Sequence, residues 1–155
     1  MRSIRRSLQA LVAVTAATVA LAACSSGGGA GNSGGTGENF TIAMVTHEAP
    51  GDTFWDKIRN GAEQAAEDHG ITLNYSNNQD AGEQATLVQN AIDSGVDGLA
   101  TTLPTPDAIG PTVKKAVDAG IPTVAFNAGI TAYPQYGIGM YFGSDEDLAG
   151  QTVGT

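Results

Sequence analysis

Gly70, Gly95 and Gly120 stand 25 residues apart, and each is followed by Ile or Val. A glycine at that spacing suits the residue after a helix, where the backbone must turn to positive φ and a side chain would clash. One step of the repeat is long enough for a strand, a loop and one helix. The alternation predicts right-handed βαβ crossovers, and therefore an α/β doubly wound parallel sheet. A helical solenoid would also repeat, but it has no use for the β-branched run after each glycine.

The first unit carries the most information. Phe40, Ile42 and Met44 alternate with Thr41, Ala43 and Val45, which predicts a buried strand. Glu48-Ala49-Pro50-Gly51-Asp52 then breaks the ladder and sets a turn, and Thr53-Phe54-Trp55-Asp56 fits the Ser/Thr-x-x-Asp/Glu start of a capped helix. Two adjacent aromatics thus sit in a helix's first turn, beside the carboxyl end of a strand. That edge is where open α/β sheets bind ligands.

The helix is expected to run to His69 with Trp55, Ile58, Ala62 and Ala65 on its inward stripe. A strand over 71–75, a polar loop over 77–80 and a helix to Ser94 follow. A third strand is expected over 96–102 and a third helix to Ala119, its start placed at Pro111 because proline suits only a first turn. Strands over 121–126 and 137–142 complete the pattern. Ser144-Asp145-Glu146-Asp147 opens a helix that has barely begun at Thr155, so an incomplete reading frame is expected.

The other end of the chain is of a different kind. Arg2, Arg5 and Arg6 precede an uncharged, alanine-rich run, and Leu21-Ala22-Ala23-Cys24 resembles the lipobox of bacterial lipoproteins, in which the cysteine becomes the acylated first residue. Residues 1–23 are therefore expected to be a lipoprotein signal peptide, exported by the Sec or the twin-arginine route, and 24–38 a flexible Gly/Ser tether. Cys24 is the single cysteine, so no internal disulfide can form. Loss of the leader leaves four Lys/Arg against sixteen Asp/Glu, a formal charge of about −12. So acidic a surface repels phosphate backbones and excludes nucleic acid as a partner, and the acyl chain would be the contact with the bilayer.

Sites of chemistry are sparse. Gly29 to Gly34 satisfies G-x-G-x-x-G, but inside a glycine tract, with no strand before it or helix after it. His47 and His69 are too far apart for a local metal motif and are expected as solvated rings at the rim and at a helix end. Asp145-Glu146-Asp147 complements a helix dipole or holds a cation, the first being the plainer use. There is no phosphate loop and no nucleophile elbow, and neither cofactor nor metal is expected. The 3.6-residue period turns Trp55 to the sheet and leaves Phe54 at the rim, although plain packing of both is an equal alternative. Asp52 and Asn127, small polar groups at the same rim, would complete a surface for a sugar or polyol, with an aromatic face for C–H groups and amide or carboxylate for hydroxyls.

Taken together, the lipobox leader, the Phe-Trp helix start, DGLATTLP after the third strand, AGIPTVAFNAG around the fourth and YFGSDEDLAGQ near the end resemble the periplasmic sugar-binding proteins related to the ribose-binding proteins. These are substrate-binding subunits of ABC importers. The likeness covers residues 39–150. It implies a two-lobed clamp of Rossmann-like halves with flavodoxin-like strand order, in which 39–143 form the first lobe and 144–155 begin the second. It also implies sugar stacking on Phe54 and Trp55, hydroxyl recognition at Asn127, and a lobe crossing at Ser144 and Asp145. Ala128 stands where ribose binders have Arg, which speaks against ribose.

The expectation is a monomeric, lipid-anchored receptor that passes a monosaccharide or cyclic polyol to a permease, with no catalytic step. A regulator with the same sensor fold would carry a helix-turn-helix before the first strand; a sensory receptor signalling through a partner kinase would share the site. An enzyme would show a phosphate loop or a paired acid and base on the rim.

Overall fold

The computed structural model describes residues 39–154. Cys24, the leader and the tether lie outside the described residues. Five parallel strands, β1 (Thr41–Thr46), β2 (Thr72–Asn77), β3 (Gly98–Thr101), β4 (Thr123–Phe126) and β5 (Met140–Phe142), make one sheet in the order β2-β1-β3-β4-β5. The crossovers are α1 (Thr53–His69), α2 (Ala81–Asp93) and α3 (Pro106–Asp118), then a 3-10 turn at Tyr133–Tyr136; α4 (Glu146–Val153) follows β5. This is the doubly wound parallel sheet expected from the glycine repeat, in the flavodoxin-like order that the resemblance implies. Gly70, Gly95 and Gly120 have φ of 66°, 70° and 81°, and each lies at or just past its helix end.

Strand parity separates the two faces. Odd-numbered Ala43, Val45, Leu99 and Ala125 point to one side and form a buried core with Val88 of α2 and Ile109, Val113 and Ala116 of α3. Even-numbered Ile42, Met44, Ala100, Val124 and Phe126 point to the other, where α1 lies over part of the sheet and small hollows remain.

Several boundaries differ from expectation. The N-cap of α1 is Asp52, whose carboxylate accepts the Phe54 N–H at 3.0 Å, and Thr53 is already helical. Aspartate caps as well as threonine and sits where the loop ends. Ala66 rather than Ala65 is buried. α3 begins at Pro106, so Pro111 lies inside it. The bond lost there belongs to the Asp107 carbonyl, and both residues are exposed, so water can replace it. On the buried side of α3, Gly110 lets the Tyr136 ring come so close that a Cβ would sit 2.0 Å from its Cζ, and Tyr136 donates its hydroxyl to the Pro106 carbonyl at 2.9 Å. β5 is three residues rather than six, and a 3-10 turn at Tyr133–Tyr136 lies ahead of it.

Candidate functional site

The site is built on the carboxyl ends of the strands. The β1–α1 loop, residues 47–52, is tied down by a polar cluster that the sequence did not reveal. Glu48, 8 % exposed, receives both carboxylate contacts from Arg59 of α1 at 2.5 Å, the Tyr75 hydroxyl at 2.7 Å and the Asn77 amide at 3.2 Å. Because the Tyr75 proton is given to Glu48, the Thr46 hydroxyl must donate to Tyr75, 2.9 Å away. Arg59 also lies over the Tyr75 ring, 4.7 Å from its centroid. The Arg59 hydrogen bond, and less so that from Tyr75, holds the Glu48 carboxyl below its ordinary value against the opposing effect of burial. The sequence places Glu48 in the turn after the first strand and offers it no partner; only the fold brings it to Arg59 and Tyr75.

That loop delivers the aromatic pair. Trp55 is 3 % exposed and Phe54 49 %, as the helical period predicts. Trp55 packs edge-on against His47 (5.1 Å), Phe54 (5.3 Å) and Phe126 (6.4 Å). The implied stacking of a ligand on Trp55 is corrected accordingly: its indole is sealed among those three rings, and it backs Phe54 instead of offering a face of its own. Asp52 is exposed, and one of its two carboxylate oxygens is committed to the helix cap.

Asn127 follows β4 with φ of 63°, the single non-glycine residue at positive φ among those described. Such a conformation costs on the order of 1 kcal/mol in an ordinary residue, less in asparagine, and clusters at functional sites. Its N–H is held by the Phe142 carbonyl at 2.9 Å, so the bend is fixed by pairing with β5. Phe54, Phe126, Asn127 and Ser144 share a cavity of about 450 Å³ whose floor is the even-numbered sheet face. Ser144 and Asn127 also border a second hollow of about 270 Å³ with Asp145, whose carboxylate caps α4 by accepting the Leu148 N–H at 3.1 Å. The sequence-derived candidates Phe54, Asn127 and Ser144 therefore converge, while Asp52 and Asp145 stand beside them as caps.

His47 is not the freely solvated ring expected. It is partly buried and its Nδ1 lies 2.8 Å from the hydroxyl of Thr102. Burial pushes its pKa below the usual 6.5, with Asp52 pulling the other way. His69 is exposed at the end of α1. Among the described residues no group of three His, Cys, Asp or Glu side chains is placed to hold a metal, and no helix is long and apolar enough to cross a membrane.

Residues 42–155 match the family described as "Periplasmic binding protein domain". Among solved structures, the chain is similar to a carbohydrate transporter from Acidothermus cellulolyticus 11B in complex with myo-inositol, at 54 % identity and a TM-score of 0.73 over 75 % of this chain and 41 % of that one. A sugar ABC transporter (sugar-binding protein) from Bacillus halodurans aligns at 32 % identity and a TM-score of 0.66, over 74 % and 39 %. A protein from Brachyspira murdochii titled "ABC transporter, LacI family transcriptional regulator" aligns at 25 % identity and 0.65, over 74 % and 37 %. The chain thus spans about two fifths of the length of these proteins. A comparison with curated proteins found no match.

Proposed function

This chain belongs to the periplasmic binding protein family, and on that premise we propose that it is the sugar-gripping first lobe of an exported receptor that feeds an ABC importer. The observation that carries this reading is the half-exposed Phe54 ring, braced from behind by Trp55, beside Asn127 in its bent backbone above a cavity of about 450 Å³. An aromatic face with an amide at its edge suits a ring that is apolar on its faces and hydroxylated at its rim. The 54 % identity to a protein holding myo-inositol makes a cyclic polyol or monosaccharide the ligand class to test first. The uncommitted oxygen of Asp52 is free to take a hydroxyl proton. A regulator of the same fold is the second reading, supported by the Brachyspira likeness. The glycine tract and Cys24 ahead of β1 favour the receptor.

In this reading Ser144 and Asp145 mark the crossing to a second lobe that closes over the ligand, the receptor works as a monomer, and acylated Cys24 holds it at the outer face of the cytoplasmic membrane. Trp55 is the one tryptophan, so its fluorescence reports on the site. Titration with myo-inositol, D-glucose and D-ribose is expected to give a saturable change with at least one. Phe54→Ala and Asn127→Gly should each weaken that binding about tenfold, roughly 1.4 kcal/mol. Glycine is the sharper replacement at 127, because it keeps the positive-φ backbone and removes the amide alone. Silence toward all three sugars in a folded chain would move the ligand outside this class. Palmitate labelling that persists in Cys24→Ser would remove the anchor.

A further inference from the structure

The strand order reverses between β1 and β3, and a doubly wound sheet opens its crevice at that point. Each of the two strands sends one polar side chain there from the residue just past its end: His47 and Thr102. They are joined, Nδ1 to Oγ1, at 2.8 Å. Behind them Gln84, in the first turn of α2 and wholly buried, donates its amide to the Thr102 carbonyl at 2.9 Å and to the Thr102 hydroxyl at 3.0 Å. The opposite amide orientation would set two carbonyl oxygens against each other, so the hydrogen bonds fix which end of Gln84 faces Thr102.

The proton count then follows. Thr102 is wholly buried, its hydroxyl already accepts from Gln84, and among the described residues Nδ1 of His47 is the one acceptor within reach of its single proton. The ring therefore carries its own proton on Nε2. That nitrogen has no protein partner among the described residues, yet it is not sealed in, since the buried side-chain nitrogen or oxygen lacking a partner there is Gln84 Oε1. Trp55 stands edge-on to the ring at 5.1 Å and 80°, and so links its position to Phe54.

We propose that His47 is a specificity-determining ligand contact, a single N–H donor set at the switch point by Thr102 and Gln84 and aimed at an acceptor oxygen of the bound polyol. This rests on the reading of the rim as a sugar or polyol site. Thr102 and Gln84 are positioning residues. The arrangement favours ligands with an oxygen lone pair at that place and discriminates against the deoxy analogue, which would leave the N–H without a partner.

Two histidines make the test direct, with exposed His69 as the internal reference. Long-range ¹H–¹⁵N spectra of the full chain, labelled in histidine, should show His47 as the Nε2–H tautomer. Thr102→Val should let it drift toward the mixture seen at His69, and Thr102→Ser should restore it. Millimolar myo-inositol, or failing that D-glucose or D-ribose, should shift the His47 Nε2–H together with Phe54 and Asn127. His47→Phe should weaken binding about tenfold, and His47→Gln, which keeps an N–H near the same place, about threefold or less. An Nδ1–H tautomer in the free wild-type chain overturns the proposal. So does a response of Phe54 and Asn127 that leaves His47 unmoved, while the sugar site itself survives. If none of the three residues responds to any of these sugars, the site reading falls and this inference falls with it.

Discussion

On the side of the sheet under α2 and α3, Val45, Val88, Ile109, Val113, Ala116 and Ala125 have no exposed surface at all. On the side under α1, Met140 and Phe142 of β5 keep over half of theirs, at 58 % and 57 %, and Phe54 of α1 keeps 49 %. The same strands build both faces, so the difference comes from what lies over them. Two helices with short apolar side chains close the first face, whereas α1 covers the second mainly over β1 and β2. The open side is held at its rim by the Glu48, Arg59 and Tyr75 bonds, and it is there that Phe54 and Asn127 are presented. The described residues thus separate a closed core face from a more open one, and the proposed sugar site lies on the open side, where ligand contact would leave the core undisturbed.

The contrast can be broken most forcefully at Ile109. Truncation to alanine should cost about 2–5 kcal/mol in urea unfolding, since Ile109 is fully buried among apolar side chains and its removal leaves an apolar void. A loss no larger than a surface substitution gives, about 0.5 kcal/mol, would show that this face is not the core. Gly110→Ala should cost less, about 1–3 kcal/mol, by driving a methyl into Tyr136. Combined with Tyr136→Ala, the two should be strongly non-additive; simple additivity would mean that the glycine is not there to admit the ring.

Acid should find the rim before the core. Above pH 6.5 the imidazole of His47 is neutral in both folded and unfolded chains. As pH falls through 6.5 the unfolded chain takes up a proton that the folded state resists, so stability declines until the lower folded value is passed. A second decline follows as pH drops through about 4.5, because Glu48 is held below that value when folded and its contribution is present only above it. Glu48→Gln should lower the melting temperature at pH 7 and abolish the second decline, whereas His47→Gln should abolish the first. An unchanged acid profile in both variants would assign the sensitivity elsewhere. The smallest effect belongs to the open face, where Phe142→Ser should change stability by no more than about 0.5 kcal/mol while raising solubility.

The strand and helix sequence was legible because it is local: glycine after each helix, β-branched runs after each glycine, and the period that turned Trp55 inward and Phe54 outward. Boundaries slipped where a tertiary contact intervened. Pro111 could not be seen to be harmless inside α3, because that depends on which carbonyl it frees and whether water reaches it. The docking of Tyr136 on Gly110 was not legible either, since it joins residues 26 apart in the chain. Asn127 was legible as a polar residue at a strand end, but its left-handed backbone, fixed by β5, was not.

By itself the sequence determined the sheet's class, its crossovers and the aromatic pair at its rim, since these follow from side-chain period and backbone freedom over a few residues. Only the tertiary structure decided that Glu48 meets Arg59 and Tyr75, and that His47 meets Thr102 and Gln84. These partners lie 11 to 55 residues apart along the chain. A hydrogen bond needs its two atoms within about 3 Å in the right direction, and no local pattern encodes a direction set by the packing of a whole sheet.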